Sequence, residues 1–368
     1  MRGTAVPVAA ESGTGQGPGS RLTPSMLTAT RWFATVSALA AAGVATVLVC
    51  LHFGAERIGP AEAAAIIWRA LSEGRSAAEA SGATAVILLD VRLPRLALGF
   101  LVGGCLAAVG VTLQAMLRNP LADPYVLGVS GGAAVGASLA IVTGLSATAV
   151  GLPVSAFAGS LLSLALLYRI AAAYGHVSVH TLLLAGVIIN ALFAALVMFL
   201  TSLMDPTHAF RVLSWMLGSL AAPDDLSLSA VAALLVLGGL LLARRARALN
   251  LLTVGEDSAR SLGVDVERAK RELLVTTALL TGTVVSVSGL IGFVGMAVPH
   301  AVRLLCGADN RLLLPACAFA GGIFLVIADT VARTALAPAE LPVGVMTALV
   351  GAPFFLYLLV ARKGGRAL

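Results

Sequence analysis

Arg92-Leu-Pro-Arg-Leu-Ala-Leu-Gly-Phe-Leu-Val-Gly-Gly-Cys-Leu-Ala-Ala-Val-Gly-Val-Thr-Leu-Gln-Ala-Met-Leu117 carries no charge from Leu96 to Leu117. As a helix rising 1.5 Å per residue, that stretch is about 33 Å long, enough to cross the roughly 30 Å hydrocarbon core of a bilayer. Its polar and apolar residues do not alternate, which argues against a lipid-facing barrel strand. Similar runs occupy residues 32–53, 126–143, 152–173, 180–203, 226–243, 271–289, 311–334 and 341–361, with a shorter one at 292–305. Counting the short run, the sequence predicts an all-α polytopic membrane protein of about ten transmembrane helices.

Composition agrees. Of 368 residues, 59% are hydrophobic and 11% charged, and the mean hydropathy is +0.98; soluble domains carry about 45–50% apolar and about 25% charged residues. At roughly 20 residues per span, this apolar content sets a ceiling near ten spans. The net charge of +6 is read as an orientation signal rather than a nucleic-acid footprint, because cytoplasmic loops hold the Lys/Arg excess. With both termini placed in the cytoplasm, the outer basic residues are Arg57, Arg69, Arg75, Arg92, Arg95, Arg211 and Arg333, leaving 17 of the 24 inside. The expected location is therefore the cytoplasmic (inner) membrane of a bacterium, with both termini cytoplasmic.

Residues 1–30, with the Gly/Ser-rich tract Glu11–Ser20, read as a disordered cytoplasmic tail, and 31–368 as one transmembrane domain. Within it, 54–91 is an external segment whose Ala63–Trp68 run suggests an interfacial helix, and 244–271 is the largest cytoplasmic loop. Neither lysine, Lys270 or Lys363, sits in a Gly-Lys-Ser/Thr context, so the chain has no P-loop with which to hold ATP. The four cysteines show no Cys-x-x-Cys spacing, and no metal site is predicted.

Two other kinds of chemistry compete. Gly128-Val-Ser130-Gly-Gly132 fits the serine-hydrolase pattern Gly-x-Ser-x-Gly, with His180 or His300 as a base, but a small-residue helix start after Pro124 explains the same glycines. A proton-coupled carrier needs buried carboxylate relays. The spans offer little beyond Asp329, four residues before Arg333 and able to pair with it. Asn190 reads as an interhelical hydrogen bond.

Composition does not account for a set of motifs that follow in order along the chain: Val91-Arg-Leu-Pro-Arg95; Gln114-Ala-Met-Leu-Arg-Asn-Pro-Leu-Ala-Asp-Pro-Tyr-Val-Leu-Gly-Val-Ser130; Gly289-Leu-Ile-Gly-Phe-Val-Gly-Met-Ala-Val-Pro-His-Ala-Val-Arg-Leu-Leu305; Ala328-Asp-Thr-Val-Ala-Arg333; Glu340-Leu-Pro-Val-Gly344; and Gly351-Ala-Pro-Phe354. Over about 330 residues they resemble the FecCD-type permeases of ABC importers for iron chelates, haem and cobalamin. The departures are the Gly-rich tail and the pair Val179-His180, where relatives often carry small hydroxyl residues.

The resemblance implies a type II ABC importer permease fold, paired as a homodimer or with a paralogous permease. Beneath it sit two ATP-binding cassette subunits, which bind the ATP and Mg and leave this chain without a cofactor. Above it docks a periplasmic or lipoprotein substrate-binding protein. Arg92, Arg95 and Arg333 are expected to receive that protein's glutamates. Gly255, Glu256, Asp257, Ser258, Ala259, Arg260, Ser261, Leu262 and Gly263 are expected to form the coupling segment for the ATPase, and Val179 with His180 the cytoplasmic gate. The expected cargo is a metal chelate, a ferric siderophore before others.

Overall fold

The computed structural model describes residues 27–54, 58–74, 82–148, 150–171, 178–221 and 225–363. Residues 1–26 of the expected tail, and Glu56, Arg57, Arg75 and Glu79 of the external segment, lie outside the described residues.

The described residues are helical, in the order α1 Ala29–Leu51, α2 Pro60–Ser72, α3 Ala83–Met116, α4 Val129–Val142, α5 Gly151–Ala171, α6 Val179–Ser202, α7 Pro206–Met216, α8 Asp225–Arg244, α9 Ala246–Val254, α10 Glu256–Ser261, α11 Val266–Ser288, α12 Val294–Cys306, α13 Asn310–Thr334 and α14 Val343–Lys363. Ten of them, α1, α3 to α6, α8 and α11 to α14, correspond to the ten expected spans. Side-chain oxygens close several N-termini, as such caps satisfy otherwise orphaned amides: Thr28 for α1, Asp205 for α7, Asp265 for α11 and Asp309 for α13.

The second span begins earlier than expected. Residues 83–91, assigned from sequence to the external segment, extend α3 through a π-helical turn at Ile87–Arg92. Leu88 and Leu89 of this extension pack with Leu51 of α1 and with Ile58, Ala63 and Ile66 in and just before α2. Asp90, the charged residue nearest the end of the expected external segment, thus lies on the helix itself. The Ala63–Trp68 run lies in α2, whose Trp68 and Leu71 are exposed.

α3 is the hub, buried along nearly its whole length from Leu96 to Met116. It is apolar all round because protein, not lipid, surrounds it. Lipid gives no hydrophobic drive for helix association, so contact depends on small residues. A Cβ on Gly110 would lie 1.8 Å from the Gly295 carbonyl oxygen, and one on Gly103 would lie 2.2 Å from that of Gly321. These glycines set how closely α3 meets α12 and α13.

Two segments leave the α-helical ladder inside the bundle: 122–128, before α4, and 289–293, between α11 and α12. Non-helical backbone at membrane depth persists only where protein satisfies its polar groups. Here one side chain joins the two segments. The Tyr125 hydroxyl donates to the Ile291 carbonyl at 2.9 Å and accepts from the Ile291 amide at 2.7 Å, while Asn190 Nδ2 of α6 donates to the Tyr125 carbonyl at 2.9 Å. Arg303 donates to Gln114 Oε1 at 2.9 Å, tying the far end of α12 to α3.

Tyr125→Phe keeps the ring and leaves both backbone groups of Ile291 without this partner. Loss of stability of about 1–3 kcal/mol is expected, read as a lower thermal midpoint of the detergent-purified protein, whereas Tyr357→Phe at an exposed position should change nothing. Equal midpoints for the two variants would show that the bridge does not hold the segments together.

Candidate functional site

The polar groups gather at two opposite ends of the bundle. At one end, two arginines and two carboxylates meet, with a third arginine nearby. Arg95 approaches Asp329 with Nε at 3.1 Å and Nη2 at 2.9 Å, and its Nη1 donates to Glu340 Oε2 at 2.9 Å. Arg333, one turn along α13, donates from Nε to Asp329 Oδ2 at 3.0 Å. The i, i+4 pair expected from sequence is formed, and Arg95 joins it from α3. Arg92 is a neighbour of this group rather than a member: it is 4% exposed and donates from Nη1 to the Leu51 carbonyl at 2.9 Å, closing the end of α1. Arg333 is also buried, at 7%. Of the three arginines, Arg95 and Arg333 are brought together and Arg92 is turned to a structural bond.

The other end carries the segment 244–271. α8 and α9 meet at a 53° bend. Gly255 then adopts φ 147°, a conformation glycine reaches without strain, and α10 follows as a short separate helix ending at Gly263, φ 84°. α9 is fixed to α13, with Asn250 Nδ2 donating to Asp309 at 2.8 Å and the Asn310 amide donating to Asn250 Oδ1 at 2.8 Å. The Arg311 guanidinium bonded to Asp309 holds that carboxyl down at about 2.

α10 is held by a lysine the sequence reading did not single out. Lys270, 2% exposed, places Nζ 3.0 Å from Glu256 Oε2 and 3.5 Å from Glu267 Oε1. Arg260 spans Asp257 at 3.2 Å, Glu256 at 3.6 Å and Glu267 at 3.8 Å. The available signal was that one of only two lysines lies three residues after a glutamate where a span begins. Ala259 is 0% exposed, in one buried cluster with Leu252 and Val266. The outward surface is instead made by Val254 and Leu262, 73% and 66% exposed, with Asp257 and Arg260 between them.

Val179 and His180 open α6 at this same end, Val179 partly buried against the core and His180 exposed. Ser130 lies elsewhere. A Cβ on the adjacent Gly131 would touch Asn190 and Phe193, ten or more residues along α6 from His180, or about 15–20 Å. The His300 ring packs edge-on against Phe354 at 6.3 Å.

The comparisons with known proteins bear on this arrangement directly. The sequence profile of the FecCD transport family matches residues 32–361. The chain belongs to the FecCD transport family. It is 47% identical over 280 residues to the cobalamin import system permease protein BtuC of Halobacterium salinarum, covering 76% of this chain and 74% of that one. It is 42% identical over 290 residues to the hemin transport system permease protein HmuU of Yersinia pestis, covering 76% and 85%. A solved inward-facing metal-chelate type ABC transporter superposes with a TM-score of 0.76 at 30% identity, over 89% of this chain and 99% of that one. The chain is thus a multi-pass membrane permease of the ABC importer class.

The seat of α10 separates a buried from an exposed position on one short helix. Ala259→Arg forces a charge into a filled site and should lower the thermal midpoint of the isolated permease. Leu262→Arg, at an exposed position, should change its stability by no more than about 0.5 kcal/mol. If Ala259→Arg melts with the wild type, the seat of α10 is not where the structure places it.

Proposed function

We propose that this FecCD permease forms the translocation path of an importer for a metal-bearing tetrapyrrole, cobalamin or haem, driven by ATP hydrolysed on partner subunits. The two relatives described above are named for cobalamin and hemin; the ferric siderophore expected from the motifs is the competing cargo. The observation that carries the reading is the placement of two polar ends on one apolar bundle. Asp329 with Arg95 and Arg333 lies about 30 Å along α13 from Asp309 and the α9–α10 segment.

In this reading Arg95 and Arg333 meet acidic residues of a periplasmic or lipoprotein substrate-binding protein. Arginine suits that task because its planar fork binds carboxylates bidentately. Arg92 contributes by fixing the end of α1. α10, with Val254 and Leu262 on its outward side, meets an ATP-binding cassette subunit, and two such subunits serve a homodimer or a pair of paralogous permeases. ATP and Mg belong to those subunits, so the permease is not itself an enzyme. Val179 and His180 form the gate at the cytoplasmic end, and both termini are cytoplasmic in the inner membrane of a bacterium. A proton-coupled carrier needs carboxylate relays inside its spans, whereas Asp329 pairs with two arginines at one end of the bundle. The Gly128–Gly132 motif serves helix packing, since a Cβ on Gly132 would lie 2.3 Å from the Gly159 carbonyl oxygen of α5.

Uptake by proteoliposomes holding the permease, its ATPase and its binding protein decides the matter. ATP-dependent accumulation of cobalamin or hemin, at least about tenfold above a ferric siderophore, is expected. Accumulation of the siderophore alone would replace the cargo, and uptake driven by a proton gradient without ATP would remove the importer reading. Orientation is checked separately: a cysteine at Ser76, in a background without the native four, should react with an impermeant thiol reagent on whole cells, and one at Ser258 should not.

A further inference from the structure

A groove of about 760 Å³, within the roughly 300–1,000 Å³ of ligand-sized sites, opens on the flank of the bundle between α1, α3, α8 and α13. Its character changes along its length. Toward the α3 hub it is apolar and floored by small residues such as Gly104 and Ala318, with Phe100 and Phe319 at its end. Val236 and Leu240 on its α8 wall are more than half exposed. At the α9–α10 end it is ringed by Arg244, Arg247 and Arg311, contributed by three different helices, with Trp32 beside them donating its indole N–H to the Arg311 carbonyl at 3.0 Å.

Arg311 is already bonded to Asp309. Arg244 and Arg247 make no hydrogen bond or ion pair with any described residue, although Arg245 between them binds Glu272. These two flank the bend at which the chain turns from α8 into α9. Two cations without partners at the mouth of an apolar cleft fit an anion attached to a hydrocarbon chain. Basic pockets between membrane helices bind anionic lipid headgroups in this way, and an indole beside them suits the headgroup level, where tryptophan concentrates.

We propose that this groove is a binding site for an anionic phospholipid. Its phosphate lies between Arg244 and Arg247, with Arg311 adding charge, and an acyl chain runs along α8 toward Phe100 and Phe319. The groove shares its basic rim with the α9 end of the bundle but includes neither α10 nor the Asp329 cluster. Gly239 supplies a way to close it, because a Cβ there would meet nothing within 4 Å and a larger side chain would occupy the cleft instead of displacing a helix.

The purified full-length permease, exchanged into a neutral detergent, is given equal amounts of phosphatidylglycerol and phosphatidylcholine, and bound lipid is counted by native mass spectrometry. The wild type should retain phosphatidylglycerol over phosphatidylcholine by more than about tenfold. Arg244→Gln with Arg247→Gln should lose roughly fivefold of that preference per arginine, and Gly239→Phe, with all arginines present, should lose retention of both lipids. Arg118→Gln with Arg169→Gln, outside the groove, should behave as the wild type. Three results would overturn the proposal: no preference in the wild type, equal loss in the Arg118 and Arg169 control, or unaltered retention in Gly239→Phe. A preference that emerges only after deletion of residues 2–26 would also overturn it, by assigning the groove to that segment of the chain.

Discussion

The Tyr125 hydroxyl closes a problem that any broken helix in a membrane protein must solve. Opening the ladder at 289–293 frees amide and carbonyl groups at a depth where water does not compete for them, and an unmade hydrogen bond there carries its full desolvation cost. One phenol serves both the donor and the acceptor of Ile291, and its own carbonyl is held by Asn190. The rest of the motif set then takes a place around that node. A Cβ on Gly344 would sit 2.4 Å from the Leu217 carbonyl oxygen and 2.8 Å from that of Leu290. Phe293 takes φ 67°, uncommon for a non-glycine residue, and its ring fills the space left open by Gly351. Segments far apart in sequence are thus required by one local arrangement.

Electrostatics at the arginine end follow a similar economy of partners. A buried carboxylate is costly unless paired and hydrogen-bonded. Asp329 receives Arg95 through two nitrogens and Arg333 through one, and Glu340, half exposed, takes the remaining nitrogen of Arg95. The guanidinium of Arg95 is therefore fixed in orientation, with all three of its nitrogens bonded to these two carboxylates. Burial of Arg92 has a different cause: α1 ends at Leu51, whose carbonyl has no intrahelical donor, and Arg92 supplies one.

Much of this was legible in the sequence. Ten apolar runs gave ten helices, the Asp329–Arg333 spacing gave their pair, Asn190 made the bond to another segment expected of a lone polar residue, and the motif order gave the family. What was not legible depends on contacts across the fold. No local pattern states that residues 83–91 continue α3, because Asp90 looks like a loop residue until the π-helical turn and α2 are placed around it. Ala259 reads as a surface residue between Ser258 and Arg260, yet a six-residue helix must bury one face, and in α10 that face is Ala259. Tyr125 and Ile291 lie 166 residues apart, and neither carries a signal for the other. Arg92, Arg95 and Arg333 look equivalent as a set of basic residues, and only the position of the Leu51 carbonyl distinguishes the first.

The seat of α10 has a mechanical corollary. Gly255 leaves the joint to α9 free of side-chain strain, while the Lys270 ammonium clasps Glu256 from the second turn of α11. α10 is consequently a short crank keyed to α11 and hinged on α9. α11 in turn runs from that ion pair to the unwound stretch held by Tyr125.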